Sequence, residues 1–141
     1  MMPGFNSTGC TLHHLGIAVS SIPDAQAAFC TLFGLTPVSE PIVDPIQHVK
    51  VCFLASGSPS GLLLELVEPA TNDSAIGAIL RRGGGAYHLC YQVGDLDAEL
   101  ERMRAERCLI VSGATPAVAF GGRRIAWLYT PQRQLVELLE Q

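Results

Sequence analysis

The chain has 141 residues, of which 48% are hydrophobic and only 16% charged, so it carries enough apolar side chain for a packed core and does not read as disordered. Its net charge of -4, with no basic run longer than Arg81-Arg82 and Arg123-Arg124, excludes the electrostatic footprint of a nucleic-acid-binding protein. No apolar run exceeds strand length, residues 1–11 lack a basic-then-apolar leader pattern, and the five scattered cysteines show no C-x-x-C spacing; a cytoplasmic location away from membranes is expected.

The first expected element is a strand, "LHHLGIAV". Pro23 then suits the first turn of a helix over "IPDAQAAFCTLFG", with Ala25, Phe29, Leu32 and Phe33 as its apolar stripe and Gly34 as its stop. Strands are expected near 36–43, 47–55 and 61–68, the last two separated by the turn-rich "SGSPSG". "NDSAIGAILRRGGG" predicts a short capped helix ended by glycines. A second strand-helix pair follows in "GAYHLCYQV" and "DLDAELERMRAERC", and strands are expected near 108–112, 123–130 and 133–140. The glycines at 83–85 and 121–122 read as loops at a cavity mouth, because no strand, phosphate loop and helix arrangement surrounds them.

These elements repeat. "HLGIAVSSIPDA" from His14 aligns with "HLCYQVGDLDAE" from His88, an offset of 88 − 14 = 74. The same offset carries "KVCFL" from Lys50 onto "RRIAWL" from Arg124, and after a slightly shorter loop Glu65 aligns with Glu137, an offset of 137 − 65 = 72. The expected fold class is α+β, two βαβββ modules forming a curled mixed sheet around a metal cavity. Its expected boundaries are an N-terminal tail over 1–11, modules over 12–69 and 85–141, and a linker helix with a Gly loop over 70–84.

Side chains alternate along a strand, so parity sorts the histidines. His13 falls in the bulky row of Leu15, Ile17 and Val19, which suits packing against helices, whereas His14 falls with Gly16 and Ala18 on the opposite face. His88 likewise stands opposite the row of Tyr87, Leu89, Tyr91 and Val93. Glu65 shares its row with Leu63 and Val67, and Glu137 shares its row with Leu135 and Leu139. A carboxylate so placed is costly without a partner, and a divalent cation supplies one. His14, Glu65, His88 and Glu137 are therefore the expected metal ligands, a set that accommodates Co, Zn, Ni, Mn or Fe. His13, His48, Glu68 and Glu140 are expected to be solvated or structural.

The stretches "HLGIAVSSIPDA", "QHVKVCFL", "LLELVEP", "DSAIGAILRRGGGAYHLCYQV", "GGRRIAWL" and "LVELLE" resemble the vicinal oxygen chelate (glyoxalase, bleomycin resistance, dioxygenase) superfamily, and most of all its methylmalonyl-CoA epimerase branch. That resemblance implies a metal-dependent epimerase or isomerase of an acyl-CoA thioester, acting by α-proton abstraction through a metal-stabilised enolate. It points to Glu137 as the first candidate for the base, with Glu65 placed symmetrically as a second, and to a homodimer. Two alternatives remain at this point: a glyoxalase I-type isomerase of a thiol hemithioacetal, and a non-catalytic small-molecule-binding resistance protein.

Overall fold

Among the described residues, apolar strands punctuated by Gly- and Pro-bearing turns assemble into one mixed sheet of nine strands, not closed into a barrel. The computed structural model describes residues 9–57 and 61–141; most of the tail expected over 1–11 and the middle of the turn expected over 56–61 lie outside the described residues. The chain runs β1 (Thr11–Ala18), α1 (Ile22–Phe33), β2 (Thr36–Pro37), β3 (Ile42–Asp44), β4 (Val49–Ala55) and β5 (Leu63–Pro69). After α2 (Ile76–Arg81) it continues through β6 (Gly85–Val93), α3 (Leu96–Ala105), β7 (Leu109–Pro116), a 3-10 turn at Val118–Phe120, β8 (Arg124–Tyr129) and β9 (Leu135–Glu140). Among the described residues no helix is long and apolar enough to cross a membrane.

The strand order is β2-β4-β5-β1-β6-β9-β8-β7, with β3 also paired to β4. β1 runs parallel to β5, and β6 runs parallel to β9. The seam between these two similar halves is the antiparallel pair β1 and β6. One face of the sheet is covered by α1 and α3. Ile17, Cys52, Leu54 and Leu66 pack with Ile22, Ala25 and Phe29 on one side, and Val93, Ala126, Leu128, Val136 and Leu138 pack with Leu96, Leu100 and Met103 on the other. The opposite face carries Val51, Phe53, Val67, Ile125, Trp127 and Leu139 and meets α2 through Ile76, Ile79 and Leu80.

Local chemistry sets the helix ends. The Ser21 Oγ accepts from the Asp24 N–H at 3.2 Å, and Gly34 closes α1 in a left-handed conformation at φ 68°. Asp95 caps α3 by accepting from Ala98 N–H. Three expectations need correction. Leu32 and Phe33 are exposed, because the sheet tapers beside them to the two-residue β2 and the apolar spacing outruns the surface that could bury it. The strand expected near 36–43 divides into the two short strands β2 and β3, whereas α2 is capped as expected, the Ser74 Oγ accepting from the Ile76 N–H at 3.3 Å. The strand expected near 108–112 is longer, and the 3-10 turn after it has no counterpart in the sequence reading.

The seam needs one residue without a side chain. Gly16 lies opposite His88, and a Cβ there would sit 1.9 Å from the His88 Cε1, well inside contact distance. His88 is itself only 1% exposed and has no free volume to retreat into. Gly16→Ala is therefore expected to lower the unfolding free energy by about 1–3 kcal/mol, read as a lower urea midpoint at unchanged slope. An unchanged midpoint would contradict this packing.

Candidate metal centre

Four polar side chains meet on the α2 side of the sheet, one from each of its four central strands. His14 comes from β1, Glu65 from β5, His88 from β6 and Glu137 from β9, and all four are buried. The His14 and His88 Nε2 atoms are 3.2 Å apart. The Glu137 Oε1 lies 3.1 Å from the His14 Nε2 and 3.5 Å from the His88 Nε2; the Glu65 Oε1 lies 3.6 and 3.5 Å from the same two atoms. Donors held about 2.0–2.2 Å from one ion stand roughly 3.0–3.6 Å apart when neighbours on its coordination sphere. The observed spacings fall in that range. The Glu137 Oε1 is moreover buried without a hydrogen bond of acceptable geometry, an orphaned acceptor of the kind a cation satisfies. Both the donor set and its spacing fit a divalent ion.

The imidazoles are propped by aromatic rings. Phe53 meets His14 edge-on at 5.5 Å, and Trp127 meets His88 edge-on at 4.8 Å, from equivalent places in the two halves. Phe120, on the 3-10 turn, stacks on His14 at 5.8 Å. Burial alone would depress the His14 imidazole, but its contacts with Glu137 and then Glu65 outweigh this and raise it to about 9. Burial would likewise raise Glu137, but its contacts with His14 and then His88 prevail and lower it to about 2. Without an ion the cluster is thus a proton-sharing group, with Glu137 ionised and His14 protonated.

Strand parity misplaces one residue in each half. The pairing of β1 with β6 skips a residue between Leu12 and His14, and again between His88 and Ala86, so His13 and Tyr87 each occupy a β-bulge. They are equivalent in the repeat, since 87 − 13 = 74. Each bulge turns the residue before a histidine toward that histidine rather than toward the helices. The His13 Nδ1 lies 2.8 Å from the His14 Nδ1, and the Tyr87 ring meets His88 at 4.5 Å. Burial, followed by the charges of Glu65 and Glu137, pushes the Tyr87 hydroxyl well above its usual range, so it stays protonated. A bulge has no periodic signature; only the shared offset of His13 and Tyr87 could have drawn attention to them.

The cluster opens onto a cavity of about 470 Å³. Glu65, Glu137 and Tyr87 line its inner wall, Val51, Val67, Phe120, Ile125 and Trp127 line its sides, α2 contributes Ile76 and Ile79, and Arg82 follows at the end of that helix. The buried Asp44 also reaches it, with Oδ1 accepting from the backbone N–H groups of Ile46 and Gln47. Two residues set aside in the sequence reading are structural: Glu68 accepts from the Ile22 N–H at 2.7 Å, and Glu140 pairs with Arg124 at 2.7 Å.

The chain is 32% identical over 132 residues to the uncharacterized protein YqjC of Bacillus subtilis, an alignment covering 92% of this chain and 91% of that one. A crystal structure of methylmalonyl-CoA epimerase from Mycobacterium tuberculosis superposes with a TM-score of 0.80 at 29% identity, covering 99% of this chain and 92% of that one. The Streptomyces coelicolor methylmalonyl-CoA epimerase, solved as a glutamate-to-glutamine variant in complex with 2-nitronate-propionyl-CoA, superposes with a TM-score of 0.77 at 25% identity, covering 92% and 96%. Residues 13–127 match the family model itself, and with two similar half-sheets facing four convergent donors across one seam, the chain belongs to the glyoxalase/bleomycin resistance protein/dioxygenase superfamily.

Proposed function

We propose that this protein is a metal-dependent epimerase of a branched malonyl-type acyl-CoA, methylmalonyl-CoA in the first instance, and that Glu137 is its base. The observation that carries the reading is the position of two buried carboxylates and two imidazoles at the inner end of an apolar cavity. The similarity to epimerases, one of them solved with an acyl-CoA analogue, supports the substrate class. Residues 12–69 and 85–141 act as repeated modules, each supplying one histidine and one glutamate.

His14, Glu65, His88 and Glu137 would hold the ion, which when bound supplies a Lewis acid for negative charge developing on substrate oxygens. The chain does the rest. The apolar walls hold the methyl-bearing carbon and exclude water, which strengthens each electrostatic contact inside. Glu137, ionised and facing the cavity, accepts the α-proton as the C–H electron pair moves into the bond to the thioester carbon and the carbonyl π pair onto the thioester oxygen, giving the enolate. Return of a proton to the opposite face of that carbon inverts it. Glu65, the second carboxyl group lining the cavity, would deliver that proton, and exchange through the cluster and solvent returns the one taken up by Glu137.

With an ion supplied, the protein is expected to exchange the α-proton of methylmalonyl-CoA for deuterium in D₂O, followed by NMR. Glu137→Gln should slow that exchange at least about 100-fold while the variant still binds the ion. Exchange that survives this substitution removes Glu137 as the base, and no exchange with any malonyl-type thioester, alongside turnover of a hemithioacetal, removes the epimerase reading.

The protonation state of the ion-free site gives a second outcome. Because His14 is raised from its ordinary value of 6.5 to about 9, its contribution to the stability of the ion-free protein is complete below pH 6.5 and lost as pH climbs through about 9. The same proton competes with a cation. Loading Zn²⁺ or Co²⁺ near neutral pH is therefore expected to release on the order of one proton per ion, read by calorimetry in buffers of different ionisation enthalpy. Apparent affinity should rise with pH across that window, and a pH-independent affinity would contradict the assignment.

A further inference from the structure

The two ligand histidines have different partners behind them. The Nδ1 of His88 is buried with no hydrogen-bond partner among the described residues, and the equivalent of His13 in that half is Tyr87, whose ring packs against His88 without satisfying it. The Nδ1 of His14 has the His13 Nδ1 at 2.8 Å. Bulges at equivalent places in the two halves thus give one imidazole a hydrogen bond and deny it to the other.

From this contact we infer that His13 is a positioning residue, which accepts a hydrogen bond from the His14 Nδ1–H and so fixes the tautomer and ring angle that aim the His14 Nε2 into the cluster. The inference rests on the metal reading above. Its logic follows from counting protons. An imidazole that ligates through Nε2 is neutral and bare at that atom, so its one proton is on Nδ1. The atom in line to receive that proton's hydrogen bond is the His13 Nδ1, which is then bare, leaving the His13 proton on Nε2. Phe120 holds the pair from one side, edge-on to His13 at 5.9 Å and stacked on His14 at 5.8 Å. The bulge makes the contact possible, because in a regular strand adjacent side chains leave on opposite faces.

The consequence is an unequal pair of ligands. Behind the cluster His14 is locked by a polar contact at Nδ1 and a stacked ring, whereas the Nδ1 side of His88 has only packing, against Trp127, Tyr87 and the bare Cα of Gly16. Second partners of this kind typically change metal affinity about 10–100-fold.

The test compares the unmodified protein with His13→Ala and His13→Asn, whose side-chain oxygen can accept at nearly the place of the lost Nδ1. Dissociation constants for Zn²⁺ and Co²⁺ are measured by competition with a chromophoric chelator, with thermal unfolding as the check on folding. His13→Ala is expected to weaken binding about 10–100-fold and His13→Asn to recover most of the loss. A long-range ¹H–¹⁵N spectrum of the Zn²⁺-loaded unmodified protein, which needs no variant to fold, should show His14 protonated at Nδ1 and His13 protonated at Nε2. Equal binding by His13→Ala, or a spectrum with His13 protonated at Nδ1, overturns the inference while leaving the metal centre standing. Failure of the unmodified protein to bind either ion overturns the metal centre, and the inference with it.

Discussion

The structure turns on the cost of burying four polar groups in the middle of an apolar sheet. Two carboxylates and two imidazoles sit at 0–5% exposure on a face otherwise built from valine, leucine, isoleucine and aromatic side chains. None of the four could be there alone, since an unpaired charge in such surroundings costs several kcal/mol and an unpaired imidazole loses both its hydrogen bonds. Together, within 4.8 Å of one another, they satisfy each other or share a cation. Every element that fixes their separation inherits this demand: the parallel pairings that set Glu65 beside Gly16 and Glu137 beside Cys90, and the seam that sets Gly16 opposite His88.

The halves are similar without being equal, and the differences fall beside the four-residue cluster. Outside the cluster the repeat is kept by packing, with Phe53 and Trp127 in matching roles beside the two histidines. At the bulges the chain carries His13 in one half and Tyr87 in the other, and the 3-10 turn bearing Phe120 has no counterpart among the described residues of the first half. Symmetry therefore builds the frame, and its local failure distinguishes one buried histidine from the other.

Much of this could be read from residue order alone. The offset aligning His14 with His88 and Glu65 with Glu137 carried the topology and the four donors, because a duplicated segment keeps its core rows and its inward polar groups together. The alternation rule separated the helix-facing row of Leu15, Ile17 and Val19 correctly, then failed at His13 and Tyr87, where an extra residue in the ladder resets the phase. Periodicity carries no trace of an inserted residue. Nor could local pattern reveal the exposure of Leu32 and Phe33, which depends on how far the sheet extends beside them, or the approach of the 3-10 turn to His14, which depends on where a long connection returns.

The strand order has a bearing on how the molecule comes to exist. Residues 14, 65, 88 and 137 span nearly the whole chain, and each reaches the cluster only after two parallel crossovers and the central seam have closed. Contacts so remote in sequence form late and slowly, since loop closure must precede the interactions that reward it. No fragment of the nascent chain presents all four donors. The four side chains therefore converge only in a chain that has finished folding, so a cation held by all of them would report a completed fold.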